Sequence, residues 1–191
     1  NYPSDQINKA TYLASEEQAK RHNEYSYLWP YSGTFSAVNA LLESTGNKKY
    51  KKLLDNKVLP GLEEYFDTRR EPFAYSSYIN SQPLSDRFYD DNVWLGIDFT
   101  DSYRMTKKQA YLKKAKLIWE FILSGKDDVL GGGIYWCEQK KESKNTCSNA
   151  PGTVFALKLF QATQDSIYLK QGKELYEWTK ANLEDPKDHL Y

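Results

Sequence analysis

Asp90 and Asp91 stand side by side in the segment Tyr89-Asp-Asp-Asn-Val-Trp94. A single Asp at the start of a helix is ordinarily a cap: it accepts from free N–H groups and suits the helix dipole. Only one of two neighbours can be the cap, so the second needs another explanation. Paired carboxylates among aromatic side chains have the chemistry to break a glycosidic bond. One, ionised, attacks or stabilises the anomeric carbon, and the other, kept protonated, donates to the leaving oxygen. Repulsion between adjacent carboxylates helps to hold that proton in place.

The surrounding composition suits such a substrate. The chain has 16 Tyr, 5 Trp and 8 Phe, or 15 % aromatic residues. Tyr and Trp join an apolar face to a polar edge, which matches the C–H faces and hydroxyl rims of sugars, although most aromatics serve packing. Two further segments are rich in unusual residues: Tyr27-Leu-Trp-Pro-Tyr-Ser-Gly33, and Gly131-Gly-Gly-Ile-Tyr-Trp-Cys137 followed by Lys144-Asn-Thr-Cys-Ser-Asn-Ala150. The glycine triplet has neither the Lys-Ser/Thr nor the preceding strand of a phosphate loop and reads as a tight turn passing close to a cavity. Lys144, Asn145 and Asn149 offer polar groups to sugar hydroxyls, or belong to a solvated charged loop. Cys137 and Cys147 are the only cysteines; an even count predicts one disulfide closing a short loop, and with it export.

These segments need elements to carry them. Three stretches read alike, each an apolar helix, a polar break and a Tyr that opens a second helix, with the Tyr residues at 50, 111 and 168. The predicted inner helices are Phe35–Leu42, Val93–Tyr103 and Val154–Ala162, less charged and more apolar than their partners. The predicted outer helices are Tyr50–Phe66, Tyr111–Leu123 and Tyr168–Leu183, with Ala115, Ile118, Trp119 and Ile122 on one face, and Leu175, Tyr176, Trp178 and Thr179 more loosely on another. A further helix is expected near Gln6–Asn23. An array of αα-hairpins at this period closes into an (α/α)6 toroid or stays open as a solenoid. A ring of six hairpins needs roughly 350 residues, so the 191 residues are expected to form a single domain, 1–191, holding about half a ring, with the missing C-terminal half as its partner. Each unusual segment precedes an inner helix, so all three are expected on one rim.

Several classes are disfavoured. The 26 basic and 26 acidic residues cancel, which gives no support for nucleic acid or an anionic membrane as partner. No apolar run approaches about 18 residues, the length of a membrane span. The two His residues, His22 and His189, are far apart, which disfavours a zinc site; neither metal nor cofactor is expected.

Taken together, Tyr89-Asp-Asp-Asn-Val-Trp94, Gly-Gly-Gly-Ile-Tyr-Trp136 and Lys144-Asn-Thr-Cys-Ser-Asn-Ala150 closely resemble glycoside hydrolase family 76, the α-1,6-mannanases, in order and spacing. Leu28-Trp-Pro-Tyr-Ser-Gly33 is similar to that family's first active-site loop. The resemblance covers the N-terminal half of a family domain. It implies an (α/α)6 barrel and retaining, endo-acting hydrolysis of α-1,6-mannan outside the cytoplasm, with Asp90 as nucleophile and Asp91 as general acid/base. Such a pair works at a separation of roughly 5–5.5 Å. Trp29, Tyr31, Tyr89, Asn92 and Trp136 are the expected sugar contacts. The two cysteines lie outside the resemblance. Transfer to another glycan, glycan binding without turnover, and a solenoid for protein partners are the competing readings.

Overall fold

The structure, a computed structural model, describes residues 25–191; the helix expected near Gln6–Asn23 lies outside the described residues. Helix α1 (Leu28–Thr45) is followed by α2 (Lys48–Leu53), a π turn (Leu54–Val58) and α3 (Leu59–Glu63). Strands β1 (Phe66–Asp67) and β2 (Ala74–Tyr75) pair antiparallel, with Phe66 opposite Tyr75. Then come α4 (Tyr89–Thr106), α5 (Gln109–Ser124), α6 (Thr146–Thr163) and α7 (Ser166–Leu183). The inner helices α1, α4 and α6 begin at 28, 89 and 146, and the outer ones at 48, 109 and 166, so both series step by 61 and then 57 residues.

The turn between the helices of each hairpin is the same device three times. Thr45, Thr106 and Thr163 end the inner helices. Each donates Oγ1–H to the carbonyl four residues back, at 2.6–2.8 Å, and accepts the N–H two residues ahead, at 3.2–3.3 Å. Between them Gly46, Lys107 and Gln164 take left-handed φ of 60–63°, and their N–H groups return to Leu42, Tyr103 and Phe160. This is the hydrogen-bonded left-handed stop that satisfies end carbonyls.

Among the described residues the expected helices form, with corrected ends. The inner ones each start several residues earlier, so Trp29–Gly33 and Thr146–Ala150 are first turns of helices rather than loops. The first outer helix stops at Glu63 and Phe66 joins β1. Pro60 cannot give an N–H to the ladder, and the helix widens into its π turn just before it. Ala115, Ile118, Trp119 and Ile122 are buried as expected; Tyr176 is not, because Leu175, Trp178 and Thr179 define a face from which it is rotated by about 100°.

Each inner helix packs on its own outer helix, and the inner helices lie in the row α1, α4, α6. Phe35 meets Phe99 edge-on at 4.9 Å, and Trp119 meets Phe155 at 5.2 Å. The side chain of Phe155 crosses α4 over Gly96, where an added Cβ would lie 2.2 Å from its ring. The inner helices are not simply apolar. Asp98 on α4 is buried and takes hydrogen bonds from Ser36 and Asn39 of α1, while Ser102 donates to Asn39. Lys158 of α6 pairs with Asp101 of α4 at 2.7 Å. Adjacent hairpins are thus pinned by polar groups that face inward. Among the described residues, no helix is long and apolar enough to cross a membrane.

Candidate active site

Each inner helix opens without a side-chain cap: Tyr27, Phe88 and Asn145 hold the N-cap place in extended conformation, and none caps with its side chain. Capping therefore explains neither Asp90 nor Asp91. Both lie in the first turn of α4, favoured there by the helix dipole. Counting from the caps, Trp29, Asp90 and Cys147 fall in one equivalent slot, and Pro30, Asp91 and Ser148 in the next. Trp94 is one turn beyond Asp90 on the same side of α4 and is 40 % exposed, as is Trp136. Trp29 is 58 % exposed.

The two carboxylates differ in their surroundings. Asp90 Oδ1 accepts the N–H of Asp91 and Oδ2 accepts the indole N–H of Trp136, both at 3.0 Å. Burial pushes its carboxyl upward, opposed by Trp136, the Asp91 N–H and the thiol of Cys147. Asp91 is buried, and its carboxyl has no hydrogen bond or ion pair among the described residues. Burial first and the charge of Asp90 second raise it to about 7. Donors thus favour the ionised form of Asp90 against its burial, while at Asp91 burial and the neighbouring charge both favour the protonated form.

Trp136 reaches Asp90 because the two rim segments are paired. Tyr89 N–H donates to the Trp136 carbonyl at 2.9 Å, Glu138 N–H to Arg87 at 3.0 Å, and Phe88 and Cys137 form an isolated bridge. Arg87 is fully buried and holds this pairing: its guanidinium binds Glu138, the carbonyls of Arg70 and Pro72, and the face of Phe121. Nothing in its own segment marks this role, since its partner lies 51 residues away.

Five expected sugar contacts are structural instead. Tyr31 is buried and donates to the Val58 carbonyl at 2.8 Å. Tyr89 is buried, stacked on Phe121 at 4.6 Å. Asn92 is buried and spans β2: its Oδ1 accepts from Tyr75 N–H and its Nδ2 donates to the Tyr75 and Phe88 carbonyls, all at 2.8–2.9 Å. Asn149 does the same one repeat later, to Ile134 and Asn145, at 2.7–2.9 Å. Lys144 is buried inside the glycine turn, its Nζ bonded to Asp127 and to the carbonyls of Val129 and Gly132. That turn is tight and passes beside a cleft, as expected: Gly131, Gly132 and Gly133 line it together with Glu174 and Trp178, and Gly133, at φ 75°, lies where a Cβ would meet the Trp178 indole at 2.6 Å. Asn145 is half-buried, and its side chain has no hydrogen bond among the described residues. The expected disulfide is absent: Cys137 is a buried free thiol and Cys147 an exposed one. Among the described residues no group of three or more metal-binding side chains gathers.

A family model described as Glycosyl hydrolase family 76 matches residues 6–191. Of the solved structures, a family 76 mannosidase from Bacteroides thetaiotaomicron is similar at 32 % identity and TM-score 0.80, over 89 % of this chain and 46 % of that one. The α-1,6-mannanase of Salegentibacter sp. is similar at 32 % identity and TM-score 0.68, over 88 % of this chain and 45 % of that one. An inactive variant of the latter, with two consecutive aspartates replaced by alanine, was solved in complex with α-1,6-mannotetrose; it is 30 % identical with TM-score 0.70, over 88 % and 45 % of the two chains. The chain thus spans about half the length of the solved structures it matches, and its three hairpins are part of an (α/α)6 toroid. No curated protein matches it by sequence.

Proposed function

Because this chain belongs to glycosyl hydrolase family 76, we propose that it contributes the catalytic carboxylates of a retaining, endo-acting hydrolase of α-1,6-mannan. The observation that carries the reading is the contrast between Asp90, held by two N–H donors, and Asp91, buried without one. An Asp90 oxygen attacks the anomeric carbon as the bond from that carbon to the bridging oxygen breaks. Asp91 gives its proton to the bridging oxygen, which leaves as a hydroxyl. Water then attacks the glycosyl ester; Asp91 takes the water's proton and Asp90 is released as carboxylate. Trp29, Trp94, Trp136 and Asn145 line the sugar path. A polymeric substrate places the enzyme outside the cytoplasm or at the cell surface.

The test is product analysis on linear α-1,6-mannan. A ladder of short oligosaccharides is expected from the intact protein, with a loss of at least a thousandfold in Asp90→Asn and in Asp91→Asn while circular dichroism is unchanged. Full activity in either variant removes the assigned roles. Retarded migration in a mannan gel without any released product would instead make this a glycan-binding protein.

A further inference from the structure

Trp136 is more than a surface aromatic. Its indole N–H meets Asp90 Oδ2 at 3.0 Å, although a ring used only for stacking on a sugar has no need of that contact. The indole is held from three sides. Its main-chain N–H donates to the Ser143 carbonyl at 3.0 Å, its carbonyl accepts Tyr89 N–H at 2.9 Å, and its ring leans on Phe88 at 4.9 Å. Tyr89 and Phe88 belong to the helix start that bears Asp90, so donor and acceptor share one frame. The other carboxyl oxygen is already fixed by the Asp91 N–H. An indole N–H only donates and does not titrate, so it can orient a carboxylate but never protonate it.

We propose that Trp136 is a positioning residue for Asp90: its N–H fixes oxygen Oδ2 and stops the carboxylate rotating away from the anomeric carbon, while the exposed ring face remains free for the sugar. The kinetic part of this proposal rests on the hydrolase reading above; the structural part does not. The groups that face the pair are Asp91 on the same helix and the Cys147 thiol on α6.

The experiment is ¹⁵N NMR of the indole N–H groups of the intact protein, with kinetics of Trp136→Phe, which keeps an aromatic ring and removes the donor. The Trp136 resonance is identified by its loss in that variant or, if it does not fold, by cross-relaxation with the Phe88 ring. The resonance is expected to move with pH, to stop moving in Asp90→Asn and to keep moving in Asp91→Asn. Trp136→Phe is expected to lower kcat by about tenfold to a hundredfold, the worth of one hydrogen bond to a charged group, with KM within about threefold. An indole signal indifferent to Asp90, or a loss confined to KM, overturns the proposal. If the signal follows Asp90 but the wild-type protein does not cleave mannan, the positioning contact stands and the hydrolase reading falls.

Discussion

A carboxyl group raised to about 7, as Asp91 is, governs both rate and stability. In the proposed mechanism Asp91 is the acid of the first step and must be protonated, so hydrolysis is expected to fall as pH rises through about 7, the falling limb of the pH–rate profile of kcat. The same group affects folding with a definite sign. Its folded-state value is raised, so folding binds a proton between the ordinary carboxylate range and about 7, and stability falls with rising pH across that window. Asp91→Asn should therefore leave stability at pH 4 nearly unchanged and raise it at pH 8 by on the order of 3 kcal/mol, read as a higher melting temperature at pH 8 only. A variant with no gain at pH 8 would mean that the charged form finds a partner. At this scale the adjacent aspartates were legible, because their type and adjacency resist explanation by capping. The directions of Tyr31, Tyr89, Asn92, Lys144 and Asn149 were not. A polar or aromatic type marks a rim segment, but whether the side chain turns toward solvent or toward its own backbone depends on partners distant in sequence, such as Tyr75 for Asn92. Two cysteines ten positions apart likewise say nothing about where their thiols point, and here Cys147 turns toward Asp90.

At the scale of elements the repeat was the most readable feature, since the Tyr at 50, 111 and 168 recur at the spacing of the helix starts. Helix ends were misplaced where a local device overrides periodicity: the π turn before Pro60, and first turns rich in Trp, Pro and Gly that resemble loops. Two devices invite mutation. Gln164 sits at φ 61° in the place that Gly46 fills in the first hairpin, on an exposed turn. Gln164→Gly should raise stability by about 0.5–1 kcal/mol by relieving Cβ strain, read as a higher urea midpoint with unchanged slope. Asn92 and Asn149 clamp equivalent helix starts onto Tyr75 and Ile134. Alanine at either position strands a buried N–H and carbonyl and should cost about 2–4 kcal/mol, whereas a loss below 0.5 kcal/mol would show that water replaces the amide.

For the molecule as a whole, the hairpins hold together through close approach of inner helices, and Gly96 sets the distance between α4 and α6. Gly96→Ala drives a methyl group into the fully buried Phe155 ring and should destabilise by about 1–3 kcal/mol or more, with the loss recovered in part by Phe155→Leu. Additive losses in that double variant would refute the contact. The array of hairpins followed from the period and its closure into a ring from the resemblance of the rim segments, but the polar bonds of Asp98, Asn39 and Lys158 between hairpins followed from neither, because no spacing rule joins residues about sixty positions apart. A last consequence comes from the helix starts. Since Tyr27, Phe88 and Asn145 cap through the backbone alone, the two positions after the first helical residue owe the fold no capping side chain. The three hairpins can therefore differ there without losing their helix starts, and they do: Trp-Pro in the first, Asp-Asp in the second, Cys-Ser in the third. A pair of reactive side chains can thus be installed at such a helix start without dismantling the helix.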